Sequence, residues 1–215
     1  MNIAQLHIIT QHLKGFSHLA QIEALKNTKV KCIQLRVKNA SHSDWFEIGR
    51  SAKLLLADTN IQLIINDNVY LAKEIDAAGV HLGKADMPVE EARDILGPNK
   101  IIGGTANTFA KIVALSKAGV DYIGLGPYRN TATKKQLDPV LQHFGYEVII
   151  KKMQLQKIKI PVIAVGGIVL NDVVPLMVAG LHGVAVSSAV VKAKDVAESL
   201  TNLTKEINKF AFIQK

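Results

Sequence analysis

Two acids and a lysine in this 215-residue chain could gather charge around an anion: Asp67 in "IINDN", Asp86 in "GKADMP" and Lys134 in "NTATKK". A hard divalent cation such as Mg²⁺ takes one or two carboxylates and completes its shell with phosphate oxygens, so the acids and the lysine suit a diphosphate. Each acid also has a plainer use as a helix cap, since Asp67 comes just before "VYLAKEI" and Asp86 just before Pro88. Two later segments have the makings of a phosphate cradle, "AVGGI" with Gly166 and Gly167, and "VSSA" with Ser187 and Ser188. Glycines expose backbone N–H groups, and a helix start beyond them would add partial positive charge. The segment "GPYRNTATKK" adds the hydroxyls of Thr131 and Thr133 to the ammonium of Lys134, a composition that suits a second anion.

Eight short apolar runs must carry these residues: "QLHIIT", "KCIQLRV", "QLIIND", "GVHLG", "IIGGTA", "YIGLGPY", "PVIAVGG" and "GVAVSS". Between them lie stretches of helical spacing, such as Trp45, Ile48, Ala52 and Leu55, or Ile112, Leu115 and Ala118. Near-continuous apolar strands alternating with helices predict a parallel sheet covered by helices. Eight units predict a closed (β/α)8 barrel as one domain over residues 1–215, with an open doubly wound sheet as the alternative. In a barrel, chemistry collects at the C-terminal strand ends. There the period of two puts Gln34, Arg36 and Lys38 on one side of the second strand. Asn66 and Asp67 end the third strand, Asp86 follows the fourth, and Thr105 ends the fifth. The N-terminal strand ends show no comparable polar set. The loop after the sixth strand, roughly from Arg129 to His143, is long enough to predict a functional role.

A formal charge of +8 and a pI near 9.5 suit anionic partners, small phosphorylated molecules among them. Lys151, Lys152, Lys157 and Lys159 lack interleaved aromatics and predict a solvated helix face, so no nucleic-acid partner is expected. No apolar run approaches the roughly 20 residues of a membrane span, and no leader-like segment opens the chain, which predicts a cytoplasmic protein without a membrane partner. Cys32 reads as a small buried hydrophobe. The histidines show no spacing that would make a metal pair, and His81 reads as a satisfied core side chain.

The order and spacing of "LHIIT", "IQLRVK", "LIINDN", "GVHLGKAD", "IIGGTA", "DYIGLGPYRNTATKK", "IPVIAVGGI" and "GVAVSSA" resemble the thiamin phosphate synthase family over nearly the whole chain. The resemblance implies a Mg²⁺-dependent (β/α)8 transferase that joins hydroxymethylpyrimidine diphosphate to a thiazole phosphate and releases pyrophosphate. Carried over by position, Gln34, Arg36, Lys38, Asn66 and Lys134 would meet the diphosphate, and Asp67 and Asp86 would hold Mg²⁺. Thr105 would lie near the pyrimidine and the diphosphate, Thr131 and Thr133 near the thiazole, and Gly166, Gly167, Ser187 and Ser188 around the thiazole phosphate. Arg36, Lys38 and Lys134 would carry catalysis by neutralising the leaving group. The chain departs from the family pattern at Asn68 for arginine, Lys84 for glutamine, Thr105 for serine, Asn107 for histidine and Leu137 for alanine. These departures keep open an impaired paralogue that only binds thiamin precursors. A thiazole tautomerase-like relative is the other alternative, but that branch uses the histidine absent here and tends to lose the "TATK" loop. A homo-oligomer is compatible with either reading.

Overall fold

The computed structural model describes residues 2–38, 40–130 and 139–213. Eight strands, β1 (Leu6–Ile9), β2 (Cys32–Leu35), β3 (Gln62–Asn66), β4 (Gly79–Leu82), β5 (Ile101–Ala106), β6 (Tyr122–Leu125), β7 (Val162–Val165) and β8 (Gly183–Val186), pair in parallel in chain order. His7 of β1 stands opposite both Cys32 of β2 and Ala185 of β8, so the sheet closes on itself and the open-sheet alternative is excluded. Around the strands run α1 (His18–Lys26), α2 (His42–Leu55), α3 (Val69–Glu74), α4 (Val89–Leu96), α5 (Phe109–Ala118), α6 (Gln142–Leu155), a 3₁₀ turn (Leu170–Asp172), α7 (Val173–Val178), α8 (Ser188–Val191) and α9 (Val196–Ile213).

Local chemistry sets many of these boundaries. Ser17, Ser41, Asn68 and Thr108 each accept a backbone N–H inside the first turn of α1, α2, α3 and α5, and α5 stops at Gly119 in the left-handed conformation. In α2 the deepest positions are Phe46, Gly49 and Ala52, with Trp45, Ile48 and Leu55 half-buried beside them. The spacing had placed the face slightly differently. The shift follows from Gly49, where even a methyl group would sit 2.8 Å from Leu71, so the helix seats itself on its smallest residue.

Strand alternation divides the core in two. Ile8, Ile33, Leu35, Ile65, Ile102 and Ile123 point outward and pack under the helices. Cys32, Ile64, Tyr122 and Ile163 point inward and fill the barrel. Burial pushes the Cys32 thiol up to about 12, which leaves it an inert hydrophobe.

The N-terminal end of the barrel is more polar than its sequence suggested. Arg93 bonds Asp121 at 2.7 Å as well as the Lys100 carbonyl, Asp121 accepts the Ile102 N–H, and Lys100 pairs with Asp76. Every charge in this group is spent on an opposite charge or on backbone, so it braces the strand starts. Lys151, Lys152, Lys157 and Lys159 are exposed, but only the first two lie on a helix, since α6 ends at Leu155 and Lys157 and Lys159 follow it.

Gly103 is a size constraint on the interior, because an added Cβ would fall 2.2 Å from the Tyr122 ring. Gly103→Ala therefore overpacks the barrel and is expected to lower stability by about 1–3 kcal/mol, read as a drop in the chemical denaturation midpoint. An unchanged midpoint would mean that Tyr122 has room to move.

Candidate active site

Polar side chains converge at the C-terminal strand ends, where two cavities adjoin. The larger, about 520 Å³, is lined by Gln34, Arg36, Lys38, Asn66, Asp67, Asp86 and Thr105 among others. These are the described residues that the sequence placed on the diphosphate and metal side. Strand β2 ends at Leu35, yet Arg36 and Lys38 keep the inward phase of Gln34, while Leu35 and Val37 are buried on the outer side. Gln34 Nε2 donates to Asn66 Oδ1 at 2.8 Å, which locks the two buried amides of neighbouring strands into one orientation.

Neither acid caps a helix. The cap of α3 is Asn68, whose side chain accepts the Leu71 N–H, and Pro88 leads α4 without a side-chain cap. Asp67 instead turns into the mouth with a positive φ of 66°, held by its N–H on the His81 carbonyl at 2.9 Å. Left-handed backbone at a non-glycine residue is a small strain that clusters at functional sites. Asp86 folds back to accept the Gly83 N–H at 2.5 Å. The two carboxyl groups are neighbours whose titrations are linked, and they share a proton only at acidic pH. Burial, and then the bond to Asp67, push Asp86 up to about 6. Burial works against ionisation of Asp67 too, but the Lys38 ammonium at 2.5 Å carries it below the usual carboxylate range. Two adjacent carboxylates at a cavity edge are a donor set suited to a hard cation, which would displace the shared proton. Among the described residues no group of three or more His, Cys, Asp or Glu converges to hold a metal unaided.

The second cavity, about 370 Å³, is lined by Gly166, Gly167, Ser187 and Ser188 as the sequence anticipated. Gly166 and Gly167 both have positive φ, 101° and 72°, which glycine adopts without strain. The helix starts expected beyond these loops are single short turns, the Leu170–Asp172 3₁₀ turn and the four-residue α8, so macrodipole charge is slight there and the loop N–H groups matter more. Ser187 Oγ donates to the Ile9 carbonyl at 2.7 Å and is committed to β1, whereas Ser188 Oγ accepts from Gln11 Nε2 at 3.2 Å. Sequence reasoning passed over Thr10, Gln11 and Lys192, which line this cavity as well. The first two directly follow β1 and could have been found from the strand count alone.

A second omission is the Arg129–Asp172 pair, which no local pattern announces. Arg129 bonds both carboxylate oxygens of Asp172 and the Gly167 carbonyl, its N–H reaches the Gly166 carbonyl, and its guanidinium lies 4.6 Å over the Tyr128 ring. Asp172 also accepts the Val169 N–H at 2.8 Å. The pair thus ties the glycine loop to the segment entering the loop after β6. Thr131, Thr133 and Lys134 lie outside the described residues.

The cavities share the walls Ile9, Arg36, Thr105, Val165 and Ala185. At that junction His81, satisfied as expected, bonds Tyr122 on one ring nitrogen and Thr105 on the other, each at 2.9 Å. The arrangement can hold an anion in each cavity with the non-phosphate parts of two ligands meeting between them.

Burial opposes the charge of Asp172, but Arg129 and the Val169 N–H bring its carboxyl below the usual range. A depressed carboxylate stabilises above its unfolded pKa and loses that contribution as pH falls through the folded value. Asp172→Ala should therefore cost about 1–3 kcal/mol at pH 7, and the gap from wild type should shrink as pH falls below about 4, measured by denaturation across pH. A gap independent of pH would mean that packing, not charge, stabilises this corner.

Residues 6–190 match the family model described as thiamine monophosphate synthase. A thiamine-phosphate synthase of Flavobacterium johnsoniae is 51% identical over 163 residues, 76% of this chain and 77% of that protein. Another of Flavobacterium psychrophilum is 41% identical over 203 residues, 94% and 98% of the two chains. The solved thiamine phosphate pyrophosphorylase from Pyrococcus furiosus superposes with a TM-score of 0.82 at 30% identity, covering 96% of each chain. With a family model spanning most of its length and relatives this similar along it, the chain belongs to the thiamine monophosphate synthase family.

Proposed function

We propose that this chain is a thiamin phosphate synthase, a transferase that couples hydroxymethylpyrimidine diphosphate with thiazole phosphate to give thiamin phosphate and pyrophosphate in thiamin biosynthesis. The observation that carries the reading is the pair of adjoining cavities with Arg36 and Thr105 in their common wall. One cavity has the acids and cations that suit a diphosphate, and the other has a glycine loop that suits a monophosphate. Arg36 and Lys38 oppose the charge that develops on departing pyrophosphate, and the Gln34–Asn66 lock presents fixed amide edges to the ring that stays behind. Asp67 and Asp86 would hold Mg²⁺, which when bound neutralises diphosphate charge. The adjoining cavities align the thiazole nitrogen with the pyrimidine methylene carbon, so the reaction needs no nucleophile from the chain. A precursor-binding paralogue would share the cavities but would not turn over. The tautomerase-like alternative is not favoured, since the named relatives are synthases. A cytoplasmic location belongs to the same reading, and no described helix is long and apolar enough to cross a membrane.

The coupling assay is purified chain with both substrates, with and without magnesium, following thiamin phosphate. Metal-dependent product is expected; binding of both substrates without product would mark a paralogue. Lys134→Ala is expected to reduce turnover by about a hundredfold or more with an unchanged denaturation midpoint, and undiminished turnover would remove that ammonium from the mechanism. Because Asp86 sits at about 6, magnesium affinity should be level above that pH and fall by about tenfold per unit below it, as the shared proton competes. Calorimetric titration with magnesium should also show proton release near pH 6. An affinity flat from pH 5 to pH 8 would place the cation elsewhere.

A further inference from the structure

The loop that leaves β7 holds its peptide planes in one orientation. The Val165 carbonyl accepts the Tyr128 N–H at 3.0 Å, the Gly166 carbonyl accepts the Arg129 N–H at 2.9 Å, and the Gly167 carbonyl accepts the Arg129 guanidinium at 2.8 Å. In a planar trans peptide the N–H points opposite to the carbonyl, and the bonds that follow these three carbonyls are trans. Three carbonyls drawn toward the exit of β6 therefore turn three successive N–H groups, those of Gly166, Gly167 and Ile168, the other way. All three residues line the second cavity, and among the described residues none of these N–H groups has an acceptor. Successive backbone N–H groups turned to one side make an anion-binding concavity.

The three planes are not held alike. Backbone donors fix the Val165 and Gly166 carbonyls, whereas the Gly167 carbonyl depends on a side chain, that of Arg129. Gly167 offers little resistance to a turn of that plane, since a glycine with φ of 72° has other conformations open to it. The guanidinium is fixed in turn by both carboxylate oxygens of Asp172 and by the face of the Tyr128 ring. Asp172 also draws in the Val169 N–H at 2.8 Å, which ends the run at three. Neither Arg129 nor Asp172 lines either cavity, and as an ion pair the two carry no net charge.

We propose that the Arg129–Asp172 pair is a positioning device for the second cavity: it holds the Gly167–Ile168 peptide so that the Ile168 N–H joins those of Gly166 and Gly167 as a donor to a phosphate group. That a phosphate monoester occupies this cavity rests on the function proposed above; the setting of the peptide plane does not. The pair reaches the ligand only through the loop, so its effect is one of aim and not of charge. The two effects differ in sign. Removing the charge of Asp172 leaves Arg129 as an uncompensated cation near the loop, which by charge alone would draw phosphate in more tightly, while a loosened guanidinium frees the Ile168 N–H and weakens the site.

Amide spectra of the full chain titrated with inorganic phosphate measure the setting directly. In the wild-type chain the Gly166, Gly167 and Ile168 amide protons should move together as the site fills. Arg129→Ala and Asp172→Asn should each bind phosphate about tenfold more weakly, with the Ile168 response reduced most, and Arg129→Lys, with one cationic nitrogen in place of a fork, should fall between. In the coupling assay, Arg129→Ala should raise KM for thiazole phosphate about tenfold and leave KM for the pyrimidine diphosphate within about twofold. Tighter phosphate binding by Asp172→Asn, or a full Ile168 response in Arg129→Ala, overturns the proposal, as does an equal rise in both KM values. Wild-type chain whose three amides answer phosphate but which makes no product supports the setting of the loop and overturns the functional reading. Amides unmoved by phosphate overturn the proposal whether or not product forms.

Discussion

Closure of the sheet is the constraint on which the molecule depends. When β8 pairs with β1, eight strand ends that are far apart in sequence are forced onto one ring, and every second side chain must go inward. The interior is narrow, and Cys32, Ile64, Tyr122 and Ile163 already fill its lower part. Polar groups are left the upper rim, where solvent and ligand can satisfy them. The seam itself helps build the mouth, for Ser187 after β8 donates to the carbonyl of Ile9 at the end of β1, and Gln11 reaches Ser188 across the same join.

Within that ring two carboxyl groups are set side by side against a single ammonium. Asp67 and Asp86 are close enough to share a proton below about pH 6, and the backbone at Asp67 is turned into the left-handed region to bring it there. Lys38 offsets one of the two charges. Under the proposed function such a pair would exchange a proton for a cation, whereas the Arg129–Asp172 pair opposite is complete in itself and works as a fastening.

Much of this was legible in the sequence because it is periodic. The eight apolar runs correspond to the eight strands, and the inward phase of Gln34, Arg36 and Lys38 survives past the strand end. The acids were located but not separated from their use as caps, since a carboxylate ahead of a helix looks the same in either role. What decided the matter was Asn68, a neighbour that takes the capping duty. Contacts between residues distant in the chain, such as Arg129 with Asp172 or Tyr122 with His81, carry no periodic signature and could be seen only once the barrel had closed. The polar brace of Arg93, Asp121 and Lys100 was hidden for the same reason, since its members are scattered among ordinary surface charges.

The shared wall between the two cavities also bears on how such a protein can diverge. Ile9, Arg36, Thr105, Val165 and Ala185 each face both compartments, so a replacement there that changes size or charge reshapes both cavities together. Residues that face a single compartment, Lys84 on one side and Lys192 on the other, can drift without that double penalty. Lineages should then explore new ligands from the rims inward, and the partition should be the last part of the mouth to change.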